Sequence, residues 1–323
     1  MLFLFRTNQI IYSIFLLIYA LVLRISYFFK NYPVDMANDG VLSIFTKDWL
    51  GHNYTVAGII TILVVFLQAV LVNNLVNQQR LFKEITLFPG LFYILLVSAI
   101  QDFLPLSSVL LGNTFLILAL NNLLATYKNP KCADAIFNVG FWVGTAALFY
   151  NAFVFFLLLA FLGLLILRNF KFKEGLMMVG GYLLPFMFAS TYSFWYDQLG
   201  EYWDTYFLNQ FAFLDFRLAD NWDTNYKLIL LVLFFLLGAF NRYQFPKSYK
   251  NRNYVNIIYT TLLISGLTFL FQNNIQISHF LIIATPLSIL LAAQFLAFSK
   301  TSAELVHFAL FVAVILFQFD VFL

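Results

Sequence analysis

Charged side chains are scarce in this chain: Asp, Glu, Lys and Arg together make up 10% of its 323 residues. A soluble domain carries roughly 25%, so too few polar groups are present to cover a water-facing surface. With 62% hydrophobic residues, the bilayer must be the solvent for much of the protein. Cysteine occurs once, at Cys132, which excludes an internal disulfide and a cysteine-based metal cluster. Cys132 follows Lys131 and reads as a small residue at a helix start. No Walker-type glycine-rich loop is present and no cytoplasmic nucleotide-binding domain is discernible, which argues against a primary ATP-driven pump. No His/Glu pair at metal spacing and no Ser-His-Asp constellation stands out. No repeat or separate soluble domain interrupts the chain, so 1–323 reads as a single integral-membrane domain.

What is abundant is aromatic. Phe alone occurs 42 times and Tyr 18 times, residue types that suit lipid-facing and interfacial positions. A transmembrane helix needs about 20 apolar residues, within a range of roughly 17–25. Runs of that kind fall at 10–29, 55–76, 86–104, 107–126, 134–149, 151–168, 175–194, 226–241, 254–271, 280–298 and 304–321. The expected fold is therefore all-α, a polytopic bundle of about 11 transmembrane helices. The run 10–29 follows Arg6 but is long enough to span, and no small-residue cleavage site comes after it. It reads as a retained first helix rather than a signal peptide. The fifth and sixth runs meet at Tyr150, either as a tight hairpin or as one long, broken helix.

The connecting loops sort charge by side. Arg6, Arg80, Lys83, Lys128, Lys131, Arg168, Lys171, Lys173, Arg242, Lys247, Lys250, Arg252 and Lys300 fall in one set, 13 of the 18 basic residues. Short basic loops stay cytoplasmic, which puts the N-terminus in the cytoplasm and, with an odd number of spans, the C-terminus outside. The expected location is a bacterial inner membrane, with the C-terminus periplasmic. The opposite set holds 11 of the 15 acidic residues and agrees with this orientation. The basic clusters sit at membrane ends, where anionic lipid explains them and nucleic acid is not needed.

Two outer segments, 30–54 and 195–225, carry most of the candidate chemistry. In the first, Pro33 and Gly40 punctuate a loop that holds Asp35 and Asp39. Val41 to Trp49 reads as a short helix lying in the interface, with Leu42, Phe45 and Trp49 on one face. A carboxylate at Asp35 or Asp39 would serve as a general base, or hold a divalent cation beside a lipid phosphate. Alternatively, Asp39 caps the short helix and Asp35 is a solvated loop residue. In the second segment, Trp195, Asp197, Glu201, Trp203, Asp204, Asp215, Asp220, Trp222 and Asp223 interleave rings with carboxylates. Flat apolar faces beside acceptors suit a sugar acceptor, and equally describe an amphipathic helix at headgroup level. Arg217 would pair with a neighbouring Asp or bind a phosphate.

Polar residues within the runs include Gln68, Asn73, Asn113, Asn138 and Asn151, most simply read as interhelical hydrogen-bond donors. His279 opens the tenth run at its outer end, where it would meet an anionic lipid phosphate or cap a helix. His307, alone on an apolar face, reads as a buried hydrogen-bonded residue.

The pattern resembles the membrane core of lipid-dependent glycosyltransferases of the GT-C type. That superfamily has an acidic motif in the first outer loop followed by an interfacial helix, matched here by Asp35 and Asp39 ahead of Val41–Trp49; the pair is spaced rather than adjacent. The stretches Gly140 to Tyr150, Phe172 to Glu174 and Gly180 to Pro185 are also similar, as is His279 to Pro286, where the superfamily often has a basic residue before a Pro-containing span. The chain also resembles a polytopic integral-membrane family common in Bacteroidota, from which no activity carries over. The glycosyltransferase resemblance implies sugar transfer from a polyprenyl-phosphate donor at the outer face. Asp39 would be the base or metal contact and Asp35 its partner. His279 or Arg217 would hold the donor phosphate, and Trp195, Trp203, Asp204 and Trp222 would form the acceptor surface. A different class of function is a non-catalytic subunit of an envelope-assembly or secretion machine, the aromatic segment docking envelope proteins. A secondary transporter ranks third, because no internal symmetry or paired broken helices are discernible.

Overall fold

A computed structural model describes residues 2–6, 10–30, 32, 34, 40–50, 53–169, 171–200, 249–271 and 276–319. Among these residues the chain is helical throughout, with no strand. In chain order the helices are α1 (Leu2–Phe5), α2 (Ile10–Leu23), α3 (Val41–Leu50), α4 (Tyr54–Gln78), α5 (Phe88–Val97), α6 (Ser108–Ala125) and α7 (Ala133–Phe149). They continue as α8 (Phe156–Leu167), α9 (Phe172–Trp195), α10 (Tyr249–Thr268), α11 (Ala284–Ala297) and α12 (Lys300–Gln318). Six helical stretches are long and apolar enough to cross a bilayer: α4, α6, α9, α12, Lys250–Phe271 and Ile277–Ala297. Four shorter apolar helical stretches accompany them. This is a multi-pass helical bundle, as expected where hydrocarbon offers backbone groups no hydrogen bonds and a helix supplies its own. The expected run 226–241 lies outside the described residues.

Short runs turn out to be interrupted ones. The run 151–168 begins as a 3-10 turn over Asn151–Phe155 and becomes α-helical only at Phe156. The run at 280–298 likewise begins as a 3-10 segment, Ile277–Ile283, that leads into α11. At Tyr150 the backbone is extended, with φ −147° and ψ 114°. Arg168, at the end of α8, reaches back to the Asn129 carbonyl and the Cys132 sulfur just before α7. The fifth and sixth runs are therefore a hairpin, not one broken helix.

Among the described residues, alternating helices bring the basic connectors to one end of the bundle. There the Asn251 amide donates to the Arg80 carbonyl, the Tyr254 hydroxyl to the Leu124 carbonyl, and Arg168 pairs with Glu174 at 2.9 Å. This is the basic end; the opposite one, which carries His279, is the His279 end.

The tightest seam joins α7 and α9. A Cβ on Gly140 would collide with the Met178 carbonyl and the Tyr182 nitrogen, one on Gly144 with the Tyr182 carbonyl, and one on Gly181 with the Phe137 carbonyl. Backbone meets backbone here because apolar side chains gain nothing by leaving lipid for one another. Small residues let dispersion between close helices hold the pair instead.

The break after α5 shows how the bundle satisfies irregular backbone. With 10 residues, α5 rises only about 15 Å, half the hydrocarbon thickness of roughly 30 Å. Its terminal carbonyls therefore need donors from elsewhere. Ser98 and Ala99 nitrogens serve Leu95 and Leu96 in a tightened last turn. Buried Arg24, just past the end of α2, supplies the rest: its guanidinium donates to the carbonyls of Val97 (2.7 Å), Phe103 (2.8 Å) and Leu104 (2.9 Å), and to the Ser98 hydroxyl. Gln318, at the end of α12, donates to the Ser98 carbonyl and accepts from the Ser26 hydroxyl at 2.8 Å. The ends of α2 and α12 thus close the break between them.

Candidate functional site

The first helix-start at the His279 end is α3. Its opening turn is fixed by Ser43, whose hydroxyl bonds the Gly40 carbonyl and accepts from the Gly40 nitrogen at 3.1 Å. Gly40 is buried and seated on the end of α7: a Cβ there would run into the Leu148 and Phe149 carbonyl oxygens. Only glycine permits this approach. The next residue along α7 is Tyr150, whose buried ring lies 4.9 Å from the ring of His279. The end of the first loop, the α7–α8 hairpin and the 3-10 segment before α11 therefore meet at one place.

His279 is almost wholly buried there. Its Nδ1 accepts from the Gln276 nitrogen at 3.2 Å, so the cap expected from the sequence is formed. In the neutral imidazole, an accepting Nδ1 leaves the proton on Nε2. That Nε2 is buried with no hydrogen-bond partner among the described residues. A buried donor without a partner costs about 1–3 kcal/mol, so this Nε2 is ready to donate to an acceptor.

Beneath His279 a polar line continues into the bundle. Asn113 donates to the Leu281 carbonyl at 2.7 Å, satisfying the 3-10 segment two residues past His279. Deeper still, the Tyr93 hydroxyl donates to Gln68 Oε1 at 2.9 Å, and Gln68 Nε2 serves the Leu110 carbonyl and the Thr114 hydroxyl. These amides act as the interhelical donors expected from the sequence, and Asn113 also fixes the irregular segment that carries His279.

Of the other expected site residues, only Trp195 is described. It ends α9, strongly exposed, close to an aromatic surface in which Phe45 of α3 meets Tyr192 at 5.2 Å and Tyr192 meets Tyr196 at 4.8 Å. Trp49 of α3 is also strongly exposed. Asp35 and Asp39 lie outside the described residues, as do Trp203, Asp204, Arg217 and Trp222. Consecutive Cα atoms are about 3.8 Å apart, so the backbone of Asp39 adjoins buried Gly40. Among the described residues no group of three His, Cys, Asp or Glu side chains converges as a metal site. His307 is buried as expected and accepts from or donates to the Tyr19 hydroxyl at 3.1 Å.

Arg24 is the polar residue that the sequence reading passed over. Its signal was plain: a charge within an apolar run, a placement that almost always faces a bundle interior. It serves backbone carbonyls rather than a ligand.

No protein-family model matches the chain, and no curated protein matches it either.

Proposed function

We propose that this protein transfers a sugar from a polyprenyl-phosphate donor, at the periplasmic face of a bacterial inner membrane crossed about 11 times. In this reading the basic end is cytoplasmic and the His279 end periplasmic. The observation that carries it is the unpartnered Nε2 of His279, held against Tyr150 next to the place where Gly40 is seated on the end of α7. A neutral imidazole N–H donates to a phosphate oxygen of the lipid donor, and Asp39 removes the proton of the acceptor hydroxyl as it attacks the anomeric carbon, whose bond to the phosphate oxygen breaks so that polyprenyl phosphate leaves with the electron pair. Asp35 sits beside it as a partner carboxylate, and the pair is the place for a divalent cation if one is used. Arg217 offers a second charge for the donor phosphate, and Trp195, Trp203, Asp204 and Trp222 offer the acceptor a stacking surface.

The test uses the full chain reconstituted in liposomes with a labelled polyprenyl-phosphate sugar and a lipid-linked acceptor. Asp39→Asn is expected to lower transfer at least 100-fold, the usual weight of a positioned base, with protein abundance unchanged. His279→Gln is expected to raise the donor concentration needed for half-maximal rate. Full transfer by both variants would sink the proposal.

A second reading is favoured by the exposed rings of Phe45, Trp49, Tyr192 and Trp195: a non-catalytic membrane subunit that docks envelope proteins through this surface. It predicts tolerance of Asp39→Asn and loss of function in Trp203→Ala or Trp222→Ala.

A further inference from the structure

The basic end carries a cluster that neither reading uses. Arg80 follows the end of α4 and Lys128 the end of α6, and both adopt left-handed backbone, with φ 53° and 52°. Glycine or asparagine takes this helix-ending position without strain, yet at both ends the chain places a cation. The two ends are joined through a pair of tyrosines. Tyr127 and Tyr254 meet edge to face at 5.7 Å; Lys128 Nζ lies 5.6 Å from the Tyr127 ring, and Lys250 Nζ lies 5.2 Å from that of Tyr254. Arg80 is tied to the same place, because its carbonyl accepts from Asn251 at 3.4 Å.

Two ammonium groups, those of Lys128 and Lys250, thus lie on one aromatic pair with the backbone of Arg80 tied beside them, and among the described residues none of the three forms an ion pair with a carboxylate. Arg168, at the same end, does: it holds Glu174 at 2.9 Å. Helix C-termini attract one cation each, which accounts for Arg80 and Lys128 separately. It does not account for Lys250, in the opening turn of α10 as described, joining them. Gathering like charges is unfavourable unless an anion completes the site.

We propose that this cluster binds the phosphate of an anionic phospholipid headgroup, with Arg80, Lys128 and Lys250 around the phosphate and the half-buried Tyr127 ring, backed by buried Tyr254, against the glycerol. Basic pockets between transmembrane helices at a cytoplasmic face bind such headgroups, and tyrosine suits the boundary between wet and apolar layers. The ligand chemistry is shared with free inorganic phosphate, which lacks the acyl chains.

The test takes the full chain in a neutral detergent and titrates phosphatidylglycerol, phosphatidylcholine and inorganic phosphate separately, reading bound lipid by native mass spectrometry and the melting temperature in parallel. Phosphatidylglycerol is expected to bind at least tenfold more tightly than phosphatidylcholine and to raise Tm. Each of Arg80→Gln, Lys128→Gln and Lys250→Gln is expected to weaken it about fivefold, the weight of one cation near an anionic surface. The single variants keep the test valid if the triple variant does not fold. Lys171→Gln combined with Lys173→Gln, which removes two cations elsewhere at the same end, is expected to leave binding unchanged. Equal binding of the two lipids overturns the proposal, and so does an equal loss in the Lys171/Lys173 variant, which would mark diffuse attraction. Inorganic phosphate that displaces phosphatidylglycerol and raises Tm by itself at millimolar concentration overturns the lipid assignment in favour of a soluble anion.

Discussion

Replacing Arg24 with methionine tests whether a buried charge here serves the backbone. The side chain keeps similar volume but loses all donors. Three carbonyls (Val97, Phe103 and Leu104) and the Ser98 hydroxyl then lose their partner. Each buried group left unmade costs about 1–3 kcal/mol, so the three carbonyls alone amount to roughly 3–9 kcal/mol. Against this, the variant no longer desolvates a guanidinium, which returns several kcal/mol per ion. The expected net loss is about 1–4 kcal/mol, the unmade carbonyls less the returned desolvation, because the change strands no charge. Arg24→Lys keeps the charge but offers three donors at one point instead of a planar fork, and should recover less than half of that. Unfolding in mixed micelles with increasing dodecyl sulfate, followed by circular dichroism, measures both. Hydrogen exchange over residues 97–104 localises the effect. An Arg24→Met variant as stable as the parent, with that segment still protected, would refute the reasoning: the desolvation penalty would then have cancelled the capping.

Other outcomes follow from the same packing. Gly140→Ala should lose about 1–3 kcal/mol through overpacking against α9, whereas Gly180→Ala, with open space around its Cβ, should gain up to about 1 kcal/mol of helix propensity; equal effects in the micelle titration would remove the seam from the account. Gln318→Leu strips the Ser98 carbonyl and the Ser26 hydroxyl of a partner, and should cost about 2–4 kcal/mol by the same titration. Tyr19→Phe leaves His307 Nε2 without its 3.1 Å contact and should cost about 1–2 kcal/mol, with a double-mutant cycle against His307→Phe showing coupling between the two.

The long apolar runs were legible because hydrophobicity sustained over 18 or more residues has few other meanings, and α4, α6, α9 and α12 follow from it directly. The short helix α3 was legible too: its observed start, Val41, is the expected one, set by loop residues on one side and helical periodicity on the other. The breaks were not. Residues 98–107 are mostly buried, with only Gln101 and Asp102 half-buried, and hydropathy cannot tell a helix from a 3-10 turn in a buried segment. What betrays such a break is its polar servant elsewhere in the chain, Arg24 or Gln318, and that pairing exists only in three dimensions. At the candidate site, His279 could be singled out from sequence and its cap anticipated. Its contact with Tyr150 could not, since it depends on the α7–α8 hairpin turning beside the 3-10 segment, 129 residues further along the chain. The expected carboxylates, Asp35 and Asp39, lie outside the described residues.

The contact from Gln318 to Ser98 joins residues 220 positions apart, and that separation sets an order of events during biosynthesis. At about 5–20 residues per second, a ribosome that has just released Ser98 needs roughly 10–40 s more to deliver Gln318. For that interval the Ser98 carbonyl sits in or near hydrocarbon without the amide that later satisfies it, while Arg24, made earlier, is already at hand for its neighbours. The Tyr19–His307 contact, 288 residues apart, has the same history. The nascent bundle must therefore be kept wet or sheltered at these points until α12 arrives, which assigns the membrane insertion machinery a holding role as well as an inserting one.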